Sequence, residues 1–331
     1  MHQERIEIRV PESKAKERID VFLARQIAYV SRSQIKKLIK EGSITVDGTA
    51  VKQNYNVRPN DCITILVPKA AEHEPVKPQN IPIDILFEDD YLLVVNKPAG
   101  MVVHPAVGHR DGTLVNAILG HNQNIAEIGD NLRPGLVHRI DKDTSGILVI
   151  AKNNYVHACL AKLFAEKDIE REYIAFVWRD VRKNSQTVST YINRHAKDRK
   201  KMAVAKQGKF AITNFYVQKR YTLVTMMRCI LDTGRTHQIR VHAAHIGHPV
   251  VGDHTYGGRG RNLGGLNREL TAFGVRILEL MQRQALHAHK LGFVHPVTKK
   301  YLQFSVDFPE DMKQLHEFLE RDYNGETNEH I

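Results

Sequence analysis

The stretch PKAAEHEPVKPQNIP, residues 68 to 82, most constrains what this chain can fold into. It carries four prolines, several charges and no hydrophobic period. Each proline fixes its own backbone angle and lacks an amide donor, so the stretch can neither continue a helix nor enter the middle of a sheet. It reads as an extended linker, and the chain is expected to fold as two bodies, a small one over residues 15–67 and a larger one over 83–310. Residues 311–331 are expected to form a C-terminal helix running into a polar, fraying tail. With 331 residues and 42% hydrophobic content, there is apolar material for both cores.

In the small body, AKERIDVFLARQIAYV (15–30) places Ile19, Phe22, Leu23, Ile27 and Val30 at helical spacing. Ser31 with Gln34 fits a capping box for a second helix, whose apolar stripe is Ile35, Leu38 and Ile39 and which Gly42 is placed to end. Asp47 and Gly48 between β-prone flanks then signal a tight hairpin. Arg32, Lys36, Lys37 and Lys40 fall largely away from the apolar stripe and form a cationic face. Residues 1–67 hold 12 Lys and Arg against 8 Asp and Glu. On an isolated helix a solvated charged face is the simpler reading, with binding of a polyanion as its rival.

Beyond the linker, ILFEDDYLLVVNKPAGMVVHP, GILVIAK, REYIAFVW and TMMRCILDT read as strands, and YVHACLAKLFAEK and HQIRVHAAHIG as helices. Their irregular order implies an α+β domain on a mixed sheet. No period of 20 to 50 residues recurs, so no solenoid is indicated.

The formal charge of +11 and pI near 9.5 favour a polyanionic partner, nucleic acid first. Much of that charge sits in residues 193–209, NRHAKDRKKMAVAKQGK, with seven Lys and Arg against one Asp, which reads as a phosphate-gripping loop including Arg199, Lys200 and Lys201. YGGRGRNLGG reads as a flexible basic loop. Cys62, Cys159 and Cys229 are far apart and in no metal-ligand spacing, which suits a reducing compartment. The N-terminus lacks the apolar core of a signal peptide, and no run approaches a membrane span, so a cytoplasmic location and no membrane partner are expected.

Cofactor signals are weak throughout. No phosphate-binding glycine loop with its lysine appears, and no G-x-G-x-x-G follows a strand, so neither a nucleotide nor a dinucleotide cofactor is expected. His237, His242, His245 and His248 lie close together, but the glutamate of an H-E-x-x-H site is absent and no carboxylate lies within the segment. Asp141 and Asp143 would point apart in an extended chain and offer one carboxylate to a site, fewer than a two-metal nuclease wants. The chemistry should therefore need only side chains, with no metal.

The stretch PGLVHRIDKDTSGILVIAK, residues 134 to 152, sets Asp141 and Asp143 at the edge of an apolar strand. A plain turn would account for DKDTSG, with Gly146 supplying an unusual φ. Asp141 is distinguished by its company. Arg139 and the arginine-dense GRTHQIR offer cations that could keep a carboxylate ionised in a partly dry pocket.

NKPAG, HRIDKDTSG, REYIAFV and GRTHQIRVHAAHIGHPVVGD occur in the order and approximate spacing of the RluA family of pseudouridine synthases, and the basic helix with its short hairpin resembles the S4 RNA-binding module. The segment NRHAKDRKKMAVAKQGK and the later RQALHAHKLGFVHP make the chain similar to the RluD-like branch, the resemblance spanning roughly residues 15 to 310. It implies a catalytic domain built on a mixed, mainly antiparallel sheet, and conversion of uridine to pseudouridine in large-subunit ribosomal RNA at adjacent uridines of the helix 69 stem-loop. It further implies that Asp141 is catalytic, that Tyr173 stacks on the target uracil, that Arg240 pairs with the aspartate, and that Arg139 enters the gap left by the flipped nucleotide. His138, Arg235, His237 and Gln238 become expected RNA contacts beside the basic helix and loop. The protein is expected to act as a monomer on ribosomal RNA or a precursor of the large subunit. Ile140 stands where Leu is more common in the family, and Ser145 where Thr often stands in this branch. A non-catalytic RNA-binding assembly factor is the alternative to an enzyme, and a metal-dependent phosphodiesterase a third reading.

Overall fold

The computed structural model describes residues 3–13, 16–27, 32–68, 76–106, 108–129 and 133–325. The chain divides into two compact units, Met1–Pro75 and Val76–Ile331. Val30 and Ser31, and with them the expected cap of the second helix, lie outside the described residues, as do residues 69–75 of the linker.

The first unit contains β1 (Gln3–Arg9), β2 (Glu17–Arg18), α1 (Ile19–Gln26), α2 (Arg32–Lys40), β3 (Ile44–Val46), β4 (Thr49–Ala50), β5 (Asn56–Val57) and β6 (Cys62–Pro68). Ile19, Phe22 and Leu23 of α1 and Ile35, Leu38 and Ile39 of α2 are buried together against Ile44, Val46, Ile63 and Ile65 of the sheet. Each such side chain contributes about 1.5–3 kcal/mol when fully buried, so this core is what holds two short helices that would not persist alone. Gly42, with φ of +74°, ends α2. Asp47 and Gly48, with φ of +49° and +77°, form the turn joining β3 to β4.

The second unit contains β7 (Asp84–Glu88), β8 (Leu92–Lys97), α3 (Leu114–His121), β9 (Ser145–Ala151), α4 (Asn154–Glu166), β10 (Glu170–Trp178), β11 (Ser185–Arg194), β12 (Met202–Ala205), β13 (Lys209–Arg220), β14 (Val224–Leu231), α5 (Gln238–His245), α6 (Arg268–Leu280), β15 (Leu286–Val294), β16 (Tyr301–Ser305) and α7 (Glu310–Tyr323). Its ten-stranded sheet runs β12-β11-β13-β14-β10-β15-β9-β8-β7, with β16 paired to β15. The sheet is mixed and mainly antiparallel, β15 and β9 being parallel. Both faces are covered at β9, every residue of which is buried. Ile147 and Val149 meet Val156 and Leu160 of α4 on one face, while Leu148 and Ile150 join α3, α6 and α7 on the other. That explains why GILVIAK is apolar throughout rather than alternating.

Two segments differ from their reading in sequence. Residues 76–82 lie along α3: Asn116 donates to the Lys77 carbonyl at 2.8 Å and the Gln79 amide to the Asn116 carbonyl at 2.9 Å. Their prolines suit this extended, docked course. The glycine-rich stretch after Tyr256 is not a free loop. The Trp178 indole donates to the Gly258 carbonyl at 2.7 Å, and a Cβ on Gly258 would stand 1.8 Å from the Val250 carbonyl oxygen, so glycine serves close packing there.

Candidate active site

The turn that enters β9 carries the site. Its chain reversal is closed by the Thr144 amide, which donates to the Asp141 carbonyl at 3.1 Å. Gly146 follows with φ of +115°, and a Cβ there would lie 2.2 Å from the Ala288 carbonyl, so only glycine lets β9 approach β15. The turn is clamped from several sides. The buried Lys97 ammonium donates to the carbonyls of Pro98, Met101 and Lys142 at 2.7, 2.8 and 2.9 Å. Arg283, paired with Asp311 through two hydrogen bonds of 2.6 and 2.8 Å, donates to the Asp143 carbonyl at 2.8 Å. Asp143 thus helps shape the turn through its backbone.

So fixed, the Asp141 carboxylate accepts a 2.9 Å hydrogen bond from Nη1 of Arg240. Arg240 projects from α5, and its other donors, Nε and Nη2, reach the two oxygens of Asp253 at 2.7 and 2.9 Å. Asp253 is fully buried and also accepts the amides of Thr255 and Tyr256. Burial works against the charge on Arg240, but Asp253 and then Asp141 outweigh it and hold the guanidinium protonated above its usual range. On the other side, Nε2 of His237 stands 3.8 Å from Asp141. The Tyr256 hydroxyl accepts the Met202 amide at 2.9 Å and lies 2.7 Å from Nδ1 of His237, so one ring nitrogen is held by Tyr256 while the other faces Asp141. Burial, opposed by Asp141, pushes His237 below its usual pKa and favours the neutral imidazole.

Tyr173 comes from β10, where a bulge between Glu172 and Tyr173 in the pairing with β15 re-aims the strand. It is 9% exposed, and burial raises its phenol above the usual range, so it presents a neutral ring. Asp141, Tyr173, Arg240 and His237 line one cavity of about 420 Å³, with Arg139, Arg171 and Arg235 also in its walls. A carboxylate beside an aromatic face and several guanidinium groups suits a planar, polyanion-borne substrate better than a free metabolite.

The chain is similar to known proteins over most of its length. A family model described as RNA pseudouridylate synthase matches residues 91–245, and one described as S4 domain matches residues 17–63. The chain is 43% identical to an uncharacterized RNA pseudouridine synthase, YlyB, of Bacillus subtilis, over 96% of this chain and 98% of that one. It is 40% identical to the ribosomal large subunit pseudouridine synthase D of Xanthomonas campestris, over 95% and 92% of the two chains. Among solved structures, the human RNA pseudouridylate synthase domain containing 1 superposes with a TM-score of 0.53 at 25% identity, covering 70% of this chain and 85% of that one. The chain belongs to the RNA pseudouridine synthase family.

In this pseudouridine synthase the residues expected from sequence to touch RNA divide into two groups. Arg139 is exposed at the cavity, its Nη1 3.2 Å from Nε2 of His104, whose Nδ1 faces the Pro105 carbonyl at 3.1 Å. Arg235 is exposed and anchored by a 3.0 Å bond from Nε to the Phe210 carbonyl. Arg199, Lys200 and Lys201 sit on a turn between β11 and β12, so residues 193–209 are a hairpin with a four-residue strand rather than a loop throughout. Lys37 and Lys40 are exposed on α2.

The others are committed to the protein itself. His138 accepts the Val149 amide at 3.0 Å and stacks on Phe164, and burial, helped by the charge of Arg171, pushes it down to about 3, so it stays neutral. Gln238 is buried and bonds Thr233, Arg235, Ile212 and Thr213, which leaves its amide occupied in fixing the turn before α5. Arg32 and Lys36 turn toward the fully buried Asp20, at 3.0 and 3.8 Å.

Among the described residues, no group of three or more His, Cys, Asp or Glu converges as metal ligands would. His242 is held between Thr190 and Thr213, and His248 contacts the Trp178 carbonyl. No helix among the described residues is long and apolar enough to cross a membrane. Sequence reasoning passed over Asp253, His104, Lys97 and Arg171. Asp253 and Arg171 stand inside the family motifs, and a buried arginine with two acidic partners was the pattern to look for.

Proposed function

We propose that the protein isomerises uridine to pseudouridine in large-subunit ribosomal RNA, at adjacent uridines of the helix 69 stem-loop, with Asp141 as the catalytic residue. The observation carrying this reading is the Asp141–Arg240–Asp253 relay beside Tyr173 in one cavity. The ribosomal substrate is suggested by relatives named for the large subunit.

In the reaction the bond from N1 to C1′ breaks, the uracil turns, and C5 bonds to C1′. Nothing is oxidised and no atom is added. A carboxylate serves whether it attacks C1′ or takes a sugar proton as the base departs, and Arg240 holds that of Asp141 in place through its 2.9 Å hydrogen bond. A stacked uridine must first leave its helix, at a cost of a few kcal/mol. Arg139 is sited to fill the vacancy, and Tyr173 offers a ring on which the flipped base can stack, worth about 1–3 kcal/mol. Lys37, Lys40, Lys200, Lys201 and Arg235 would hold phosphates. Neutral His237 would present Nε2 to Asp141, and Arg240, satisfied by two carboxylates, would not contact phosphate.

Tritium release tests the reading. Ribosomal RNA labelled at uracil C5 should lose tritium to solvent with the native protein and not with Asp141→Asn. Equal release by both would remove Asp141 from the mechanism, and RNA binding without any release by the native protein would make it an assembly factor.

A further inference from the structure

Arg171 lines the cavity, and the chemistry of Asp141, Tyr173 and Arg240 gives it no task. The residue is 7% exposed. Its Nη2 donates to the Leu231 carbonyl at 3.1 Å and its guanidinium lies over the Phe164 ring at 5.3 Å. Its Nε finds no hydrogen-bond partner, and among the described residues no carboxylate pairs with it. His138, stacked on the same Phe164, is neutral. The Arg240 charge is answered by two carboxylates in contact, whereas the Arg171 charge is buried against a carbonyl, a phenyl ring and an imidazole, with Asp232 acting on it without forming an ion pair. Arginine cannot shed its proton to escape such surroundings, and Nη1, which bonds no other described residue, is the donor left for a group from outside the chain. Room is kept for it: a Cβ on Gly234 would stand 3.0 Å from Nη1 of Arg171.

We infer that Arg171 is a further catalytic residue, donating to a carbonyl oxygen of the target uracil as negative charge collects there. The inference rests on the pseudouridine synthase reading of the same cavity. Arg171 and Tyr173 are two residues apart on β10, both buried and both in the cavity wall, so a ring stacked on Tyr173 lies within reach of Arg171. When the N1–C1′ bond breaks, its electron pair stays on the uracil, shared among N1, O2 and O4. C1′ is meanwhile captured by an Asp141 oxygen or loses a 2′ proton to it. C5 then bonds to C1′ with a ring electron pair as the Asp141 oxygen departs from C1′, or as the 2′ proton returns from Asp141; the C5 proton leaves and N1 gains one, so the balance closes without a co-reactant. The ring is anionic only between the two bond changes. A donor aimed at its oxygens is therefore stronger in the transition state than in the bound ground state, as catalysis requires. A backbone phosphate is the less fitting partner, because it would have to reach past the base to a guanidinium that is only 7% exposed.

The test uses the full chain with Arg171→Met, Arg171→Lys and Gly234→Ala. Single-turnover tritium release should fall about 100-fold in Arg171→Met, with RNA affinity and its salt dependence unchanged, and part of the rate should return in Arg171→Lys. RNA carrying 5-fluorouridine at the target gives a more stable departing anion. Its consumption, read by nucleoside chromatography, should suffer at least about ten-fold less from Arg171→Met than reaction of uridine does. Gly234→Ala, which crowds Nη1 and keeps the charge, should show the same fluorine-dependent pattern in smaller degree and stands in if Arg171→Met does not fold. Equal losses on both substrates would overturn the inference, and so would weaker binding with a flatter salt dependence, which marks a phosphate contact. If the native protein itself releases no tritium, the functional reading fails; if native and Arg171→Met release it alike, only the role of Arg171 does.

Discussion

Asp253 holds Arg240 through two hydrogen bonds, and the third nitrogen of the same guanidinium is the one that meets Asp141. The orientation of the cation at the reacting carboxylate is thus set from behind, by a residue with no solvent access. Asp253→Asn keeps the shape but turns an acceptor into a donor facing Arg240. It should cost about 3–5 kcal/mol of stability, read from denaturant midpoints, since a buried pair loses one partner. Tritium release should fall about 100-fold. An unchanged rate would mean that Arg240 finds its place without Asp253.

Acid should weaken the fold through His138. The imidazole of an unfolded chain takes up its proton near pH 6.5, whereas burial and Arg171 delay this to about 3 in the folded protein. Between those values the unfolded state binds more protons, so stability present above about 6.5 is lost as pH falls. The loss amounts to about 2 kcal/mol between pH 7 and 5. His242 and His287, each held to about 4, add in the same direction. In His138→Gln, whose side-chain oxygen can still accept the Val149 amide, urea midpoints should depend visibly less on pH than in the native protein.

Lys97→Met removes the donors to three carbonyls around the Asp141 turn while keeping most of the buried volume. A loss of about 3–5 kcal/mol is expected from the bared acceptors. Because the Lys142 carbonyl adjoins Asp141, the maximal rate should fall more than RNA affinity does. Equal falls in both would contradict a role confined to the turn.

Salt titration should separate the two kinds of basic residue. Lys40→Ala, and Lys200→Ala with Lys201→Ala, should flatten the dependence of RNA binding on salt by about one unit of slope for each phosphate no longer neutralised. The uridine modified should not change. Arg32→Ala should instead destabilise the first unit, because Arg32 and Arg18 are hydrogen-bonded to the buried Asp20. Burial alone would raise that carboxyl, but the two arginines hold it below the usual range. A flatter slope for Arg32→Ala with unchanged stability would sink this distinction.

Sequence reading succeeded where the cause is local. The Asp47–Gly48 turn, the apolar stripe of α2 and the uniformly apolar β9 follow from backbone preference and side-chain period, and the structure contains them. Asp141 stood out because two arginine-bearing motifs flanked it, and one of them supplies Arg240. Failures came where partners are distant. Asp253 meets Arg240 by way of the path from α5 to α6, and no periodic pattern encodes that encounter. His138 and Gln238 looked like free polar groups in a basic region, yet their bonds run to strands that sequence order alone could not put beside them. The glycines near Tyr256 suggested freedom, whereas Gly258 among them answers the close approach of the Val250 carbonyl and is held by Trp178.

The parallel pairing of β9 with β15 also dictates an order of events at the ribosome that makes this chain. The turn bearing Asp141 is held by Arg283 and Gln284, and Ser145 by His287, residues about 140 positions later. The first unit has its own core and needs none of them. Translation therefore yields the first unit long before the Asp141 turn of the second unit has its clamps. A chain ended after residue 280 is expected to retain RNA binding through its first unit and to isomerise no uridine; turnover by that fragment would show that the clamps are dispensable. Activity is the last property the growing polypeptide acquires, a delay written into the strand order of its sheet.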